Sequence, residues 1–515
     1  MPGIPLSNRC QFCKRRKIKC DENWPRCGNC KRSNQVCSGP PVGVKFVQNN
    51  CHSARGTSKL SPELYSQVDR TPSPCGTLVD VKLQPAANGH GAFHQMRIVR
   101  DTPISREVTP TPEEKLAGKL SRVMATNANS RLLLSHELLA NMMPHLSMSP
   151  ALSDALSCLV ATSSNVRRSL PFQDLIDLHS YNKALKSLAK AFKNPSQQYT
   201  TTTLAALTII YHLELSYDSS GGPNKTLHAT QLYNLLSTHG LPSLEDPLSI
   251  HLAFENLAPM LSYTLLTESP SFYTDPTWLW TLQTALDIGM VTNPANAALY
   301  TLHLTLTSWP TLASTLRSLH VDPLNPFALN PAMDLFTASS ALSSSLQTFD
   351  DSVISSLFTS GDISYPTSDP GFSFSSSAVA QLFSTHAMAS IAVNQITQSV
   401  NHFLGLDTSA YDITALQNAQ WAERIRMCLP YATNLGSGGS FLVPALVVAY
   451  GVEEMEGRRD VMEGLAGLER WKYPAGKGGK GKGKSVVRCR WDEKAVLEMG
   501  VVLCGRGTFG GVARQ

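Results

Sequence analysis

Apolar positions along this chain repeat at helical spacing, and they do so only from about Glu113 to Trp471. The clearest run places Leu178, Tyr181, Leu185, Leu188 and Phe192 at alternating steps of three and four. That period predicts one apolar face on a helix, with the intervening Lys and Asn outside. Thr203–Leu215 is apolar nearly all round and predicts a buried helix. Leu227–Thr238 predicts a third, stopped by Gly240, a residue free to take the left-handed conformation past a last turn. Phe441–Trp471 reads as one or two more. Two serine-rich stretches, Ser339–Ser345 and Phe372–Ser377, predict loops. No alternating stretch is long enough for a sheet. The expected fold class is therefore mainly α, with a large all-α domain over residues 113–515.

The sequence ahead of it is of a different kind. Residues 41–112 are rich in Pro, Gly, Ser, Asn and Thr and hold no helical period, which predicts a disordered linker. Thr71-Pro72-Ser73-Pro74, Thr102-Pro103, Thr109-Pro110 and Thr111-Pro112 fit proline-directed phosphorylation, but composition favours an extended, solvated chain. Residues 1–40 form a third zone. They hold nine of the 44 Lys/Arg and two of the 39 Asp/Glu, so this short stretch carries +7 and the remainder −2. Positive charge gathered in a small module on a near-neutral body points to a polyanionic partner.

Six of the twelve cysteines also lie in that stretch. No apolar segment of secretory-leader type opens the sequence, and an intracellular, reducing compartment is expected. Clustered cysteines there indicate metal ligation rather than disulfides. The longest apolar stretches, around Leu204–Leu215 and Phe441–Val452, are too short to span a bilayer, so no membrane partner is expected.

Cys10, Cys13, Cys20, Cys27, Cys30 and Cys37 follow the spacing C-x2-C-x6-C twice, displaced by 17 residues. One tetrahedral zinc takes four ligands and would leave two thiols over. Two zincs need eight ligand places, which six cysteines supply if two of them bridge. The symmetry of the repeat makes Cys10 and Cys27 the natural bridging pair. Sulfur then fills every coordination place, so the site is structural rather than catalytic. So short a module should be unfolded without its two zinc ions.

The intervening residues are asymmetric. The first half reads Lys14-Arg15-Arg16-Lys17-Ile18-Lys19 and the second Lys31-Arg32-Ser33-Asn34-Gln35-Val36. The first half is thus expected to enter the major groove of double-stranded DNA, and the second to hold phosphate. The Lys14–Lys17 run also fits a nuclear import signal.

The spacing over residues 10–37 resembles the Zn2Cys6 binuclear cluster of fungal transcription factors. The resemblance implies a sequence-specific regulator at RNA polymerase II promoters, nuclear, with two zinc ions bridged by Cys10 and Cys27. It implies a base-reading role toward CGG-type triplets for Lys17, with Arg16 beside it, and phosphate contacts for Lys14, Arg15, Lys19 and Lys31. Pro25 matches the family's loop proline. More loosely, Tyr181-Asn-Lys-Ala-Leu185, Leu204–Glu214, His228 with Leu232 and Leu235, and Phe441-Leu-Val-Pro-Ala-Leu446 resemble the fungal-specific regulatory domain. That implies transcription machinery or coregulators as partners, and control of a metabolic or secondary-metabolite pathway. Family members commonly dimerise through a coiled coil after the cluster. Val44–Leu120 holds no sustained heptad, so a monomer and a homodimer held by the helical body both stay open. An interaction protein of corepressor or coactivator type, whose zinc module has no DNA specificity of its own, is the alternative reading.

No enzyme is expected. Gly478–Ser485 spells the letters of a P-loop, but it sits in a basic Gly/Lys loop, 476–484, without the strand and helix that motif needs. His136-Glu137 opens like a zinc-protease helix, yet Ala140 stands where the second His belongs. Asn224-Lys-Thr226 matches a glycosylation acceptor that a nuclear protein would not use.

Overall fold

A computed structural model describes residues 10–23, 26–38, 110–126, 134–218, 224–322, 325, 327–365, 371–406, 411–469, 472 and 491–506. The chain divides into two compact units, Met1–Ile104 and Ser105–Gln515. The expected linker lies almost wholly outside the described residues, as do Pro25, the Ser/Thr-Pro groups at 71–74 and 102–103 and the Gly/Lys loop.

Among its described residues the first unit holds two short helices, α1 (Gln11–Arg15) and α2 (Gly28–Arg32). The second is built from helices α3 (Pro112–Thr126), α4 (His136–Met142), α5 (Pro150–Arg167), α6 (Leu178–Lys193), α7 (Thr201–Tyr217), α8 (Asn224–His239), α9 (Pro247–Glu255) and α10 (Leu257–Thr267). It continues through α11 (Pro276–Asp287), α12 (Pro294–Thr305), α13 (Trp309–Val321), α14 (Leu329–Phe349), α15 (Ser355–Ser360) and α16 (Ser377–Leu404). It closes with α17 (Tyr411–Arg426), α18 (Leu429–Asn434), α19 (Val443–Tyr450), α20 (Met455–Glu469) and α21 (Glu493–Leu503). Among the described residues the strands are two antiparallel pieces of two residues each, pairing Ile363 with Phe374 and Ser364 with Ser373. The mainly α architecture stands as expected.

One sequence device starts many of these helices. Ser149, Asp246, Asp275 and Asn293 each cap a helix by accepting a backbone N–H, and each is followed by proline at the first helical position. The cap satisfies a donor the helix leaves open, and proline gives up only an N–H that had no partner. Thr111 and Glu114 make a reciprocal capping box at the start of α3, with N···O distances of 3.1 and 2.8 Å. Gly240 follows α8 with φ +86°, the left-handed turn expected of it.

The second unit has one continuous apolar core. At its centre α16 runs 28 residues without a charged side chain and packs against α12, α14, α17 and α19. Arg317 of α13 is buried and donates to the Val502 carbonyl at 2.8 Å, fixing α21 against the body. Gly500 lets α21 approach α19: a Cβ there would lie 2.8 Å from the Val447 carbonyl oxygen.

Three details depart from the pattern. Ser339–Ser345 is not a loop but the middle of α14. Its hydroxyls bond back to carbonyls one turn earlier, Ser344 to Ser340 and Ser345 to Ala341 at 3.0–3.1 Å, while Leu335, Leu342 and Leu346 face the core. Phe372–Ser377 contributes the second strand piece and then starts α16, capped by Ser376. Leu178 is 66% exposed although it belongs to the apolar stripe of α6. It is the first residue of that helix, and helical side chains lean toward the N-terminus, so it projects beyond the packed turns.

Glu214 is the buried acid of α7. It accepts a hydrogen bond from the Tyr181 hydroxyl and lies 2.7–2.8 Å from Nδ1 of His228, so one carboxylate joins α6, α7 and α8. His228→Ala should lower unfolding stability by about 2–4 kcal/mol in chemical denaturation, because a stranded buried carboxylate bears its full desolvation penalty. The same substitution in a Glu214→Leu background should cost much less, and equal costs in both backgrounds would refute the coupling.

Candidate metal centre and nucleic-acid interface

The two halves of the first unit repeat each other in backbone as well as in sequence. Cys10 and Cys27 are the N-caps of α1 and α2, each thiol sulfur accepting a backbone N–H at 3.4 Å, from Cys13 and Cys30. Each helix ends the same way. Lys17 has φ +56° and Asn34 φ +49°, and the next residue bonds back to the carbonyl of the second cysteine: Ile18 to Cys13 at 3.1 Å, Gln35 to Cys30 at 3.0 Å. These are left-handed helix terminations one sequence repeat apart.

The six cysteines converge. Their sulfurs form two overlapping groups of four, Cys10–Cys13–Cys20–Cys27 and Cys10–Cys27–Cys30–Cys37. Cys10 and Cys27 belong to both. Sulfur separations are 3.8 Å for Cys10–Cys27, 3.7 Å for Cys10–Cys30 and Cys13–Cys27, and 4.0 Å for Cys10–Cys20. With a zinc–sulfur bond of about 2.3 Å, the edge of a tetrahedral site is about 3.8 Å, so the spacing fits two zinc ions. Burial holds the proton on two of these thiols: it pushes Cys13 up to about 12, with neighbouring thiols adding to the effect, and raises Cys30 as well. Metal ions must displace those protons, and binding is therefore coupled to proton release. No buried side chain in this unit other than the cysteines forms a core among the described residues; Phe12 and Ile18 pack against the sulfurs from outside.

Lys14, Arg15, Arg16, Lys17, Lys19 and Lys31 are all exposed. Five of them lie along α1 and its exit, and Lys31 sits on α2. The Arg16 guanidinium lies over the Phe12 ring at 5.6 Å, which restricts it to the C-terminal end of α1. Basic side chains there also oppose the negative end of the helix dipole, a structural use that Lys31 and Arg32 share in the second half.

Sequence reasoning missed a brace between the halves. Both carboxylate oxygens of Asp21 lie near the Gly28 N–H, at 2.8 and 3.0 Å, at the start of α2. Asn29 donates to the Lys19 carbonyl at 2.6 Å and accepts from Arg32 at 2.8 Å. A Cβ on Gly28 would meet the Asp21 carboxylate at 2.5 Å, so a larger residue there would push that carboxylate aside. The repeat held a usable signal, because Gly28 and Asn29 stand where the first half has Gln11 and Phe12.

The two residues that suggested chemistry in the second unit are structural. His136 meets the Met124 carbonyl at 3.2 Å. Glu137 accepts from the backbone N–H groups of Thr292 and Asn293 at 2.7 and 3.0 Å, just ahead of α12. Among the described residues no helix is long and apolar enough to cross a membrane.

Comparison with known proteins bears on the first unit. No solved structure matches the chain. Over 29 residues it is 59% identical to a protein of Saccharomyces cerevisiae described as an uncharacterized transcriptional regulatory protein. That stretch is 6% of this chain and 3% of the yeast protein, so the chain spans a very small part of that relative. Residues 9–41 match the family model of the fungal Zn(2)-Cys(6) binuclear cluster domain, which binds two zinc ions.

Proposed function

We propose that this protein is a nuclear, sequence-specific regulator of transcription that reads CGG-type triplets in promoter DNA through α1. Cys10 and Cys27 bridge its two zincs, Cys13 and Cys20 complete one site, and Cys30 and Cys37 the other. Lys17 reads bases with Arg16 beside it, while Lys14, Arg15, Lys19 and Lys31 hold phosphate. The second unit regulates this activity through coregulators or self-association, toward a metabolic or secondary-metabolite pathway.

The observation that carries the reading is the backbone of Lys17. A left-handed conformation costs an ordinary L-residue about 1–2 kcal/mol, and asparagine tolerates it better. The second half places Asn34 at the equivalent position, and the first half keeps a lysine there. Strain retained where a better-fitting residue stands 17 positions away favours a role for the side chain itself. At the end of α1 that side chain is an exposed cation suited to guanine O6 and N7.

Lys17→Asn in the full-length protein is therefore expected to keep two zincs and equal or higher thermal stability. Its discrimination of a CGG-bearing duplex from a scrambled one should fall by about 1–3 kcal/mol in titrations at fixed salt. Unchanged discrimination would remove Lys17 from the interface. Wild-type protein with two zincs and no triplet preference would favour the interaction-protein reading instead. For the cluster, Cys10→Ser and Cys27→Ser should each disturb both metal sites and Cys37→Ser only one, read as zinc per chain by elemental analysis. Equal zinc loss in all three would refute the bridging assignment.

A further inference from the structure

The second unit is poor in charge. α16 has no charged residue in 28, α10 and α12 have none, and α7 and α14 have one each. Against that background α6 stands apart. Its 16 residues hold Lys183, Lys186, Lys190 and Lys193 and no Asp or Glu. Their steps of three, four and three place all four on one helical stripe. The opposite face, with Ala184, Leu188 and Ala191, is buried where α6 packs against α5 and α7.

The stripe is exposed along its length. Lys183 pairs with Asp154 of α5 at 2.8 Å while its side chain stays 66% exposed. Lys186, Lys190 and Lys193 have no acidic partner within ion-pair distance among the described residues. Two other acids near the helix are already engaged, Asp177 in capping its N-terminus through Ser180, at 3.0 Å, and Glu214 with Tyr181 and His228. Solubility does not require such a grouping, since scattered charges of both signs serve it. Three unpaired cations in register on a charge-poor body form a local field that attracts a polyanion.

We infer that the lysine stripe of α6 is a second, sequence-independent contact of this protein with duplex DNA, made to the phosphate backbone beside the triplet. This rests on the DNA-reading role proposed for the cluster. From Lys183 to Lys193 the helix rises about 15 Å at 1.5 Å per residue. That covers about four phosphate steps of one strand at 3.4 Å each. Lysine suits the task, as a flexible point charge that needs no fixed orientation toward phosphate. Because stripe and cluster share one chain, binding of the cluster raises the effective concentration of the stripe at the flanking duplex.

The test uses full-length protein and the variant Lys186→Gln/Lys190→Gln/Lys193→Gln. Glutamine keeps helix propensity and removes only charge from exposed positions. Binding is titrated against salt on two duplexes: one just long enough for the triplet site, one with long flanks. On the long duplex the variant should show a slope of log affinity against log salt smaller by about 2–3, since each neutralised phosphate contributes about 0.9. On the short duplex the two proteins should match.

Equal slopes on the long duplex would overturn the stripe while leaving the cluster reading intact. Wild-type protein that binds neither duplex would overturn both. Competition by polyglutamate that the substitutions abolish, with the long-duplex slope unchanged, would overturn the DNA assignment in favour of an acidic polypeptide.

Discussion

Six sulfur atoms held at tetrahedral spacing are the constraint on which the first unit depends. Its described residues include no aliphatic core, and two five-residue helices are far too short to persist alone. The sulfurs therefore take the place of a core, and metal that replaces their protons is what would hold them together. Sharing Cys10 and Cys27 is what makes six thiols sufficient for two ions. It also makes the halves inseparable, because neither tetrad is complete without a cysteine from the other half. The Asp21–Gly28 and Asn29–Lys19 contacts then fix the direction in which α2 leaves that shared centre.

The second unit is held by the opposite strategy. Its stability comes from apolar area removed from water across many helices, with polar groups admitted where partners are ready. Glu214 shows the condition: a carboxylate in a buried helix is tolerated because α6 and α8 each bring a group to it. Arg317 shows it again, reaching a backbone carbonyl of α21 and so drawing the last helix onto the body. A unit of this kind can leave most of its surface uncharged hydroxyl and amide, which is why the lysines of α6 stand out.

Legibility in the sequence followed the strength of each physical signal. The cysteine repeat carries ligand number and symmetry in its spacing, so the two tetrads and their shared pair could be read before any geometry. Helices with strong period or strong apolarity, α6 and α7, and the stop at Gly240 were equally readable. Ser339–Ser345 was not, because serine is read by composition as a loop former. The deciding signal was the Leu335, Leu342 and Leu346 spacing around it, with hydroxyls able to bond within their own helix. The brace at Asp21 was hidden for another reason. The repeat marked Gly28 and Asn29 as unlike their counterparts Gln11 and Phe12, but nothing in the spacing named Asp21 as their partner.

The repeat of the cluster also clarifies what evolution left unequal. Two halves with the same caps, the same left-handed exits and the same sulfur geometry need the same residues wherever only folding is at stake. They do share them at the cysteines and at the first two basic positions. They differ at Phe12 against Asn29 and Ile18 against Gln35, where the first half packs on the sulfurs, and at the outer positions Lys17 against Asn34, Arg16 against Ser33 and Lys19 against Val36, the last exposed to 88%. The helix dipole accounts for a basic side chain near the end of α1, but not for lysine in place of asparagine in a left-handed exit. The asymmetry is what the proposed function asks for: a symmetric scaffold whose first half reads DNA and whose second half contacts it less.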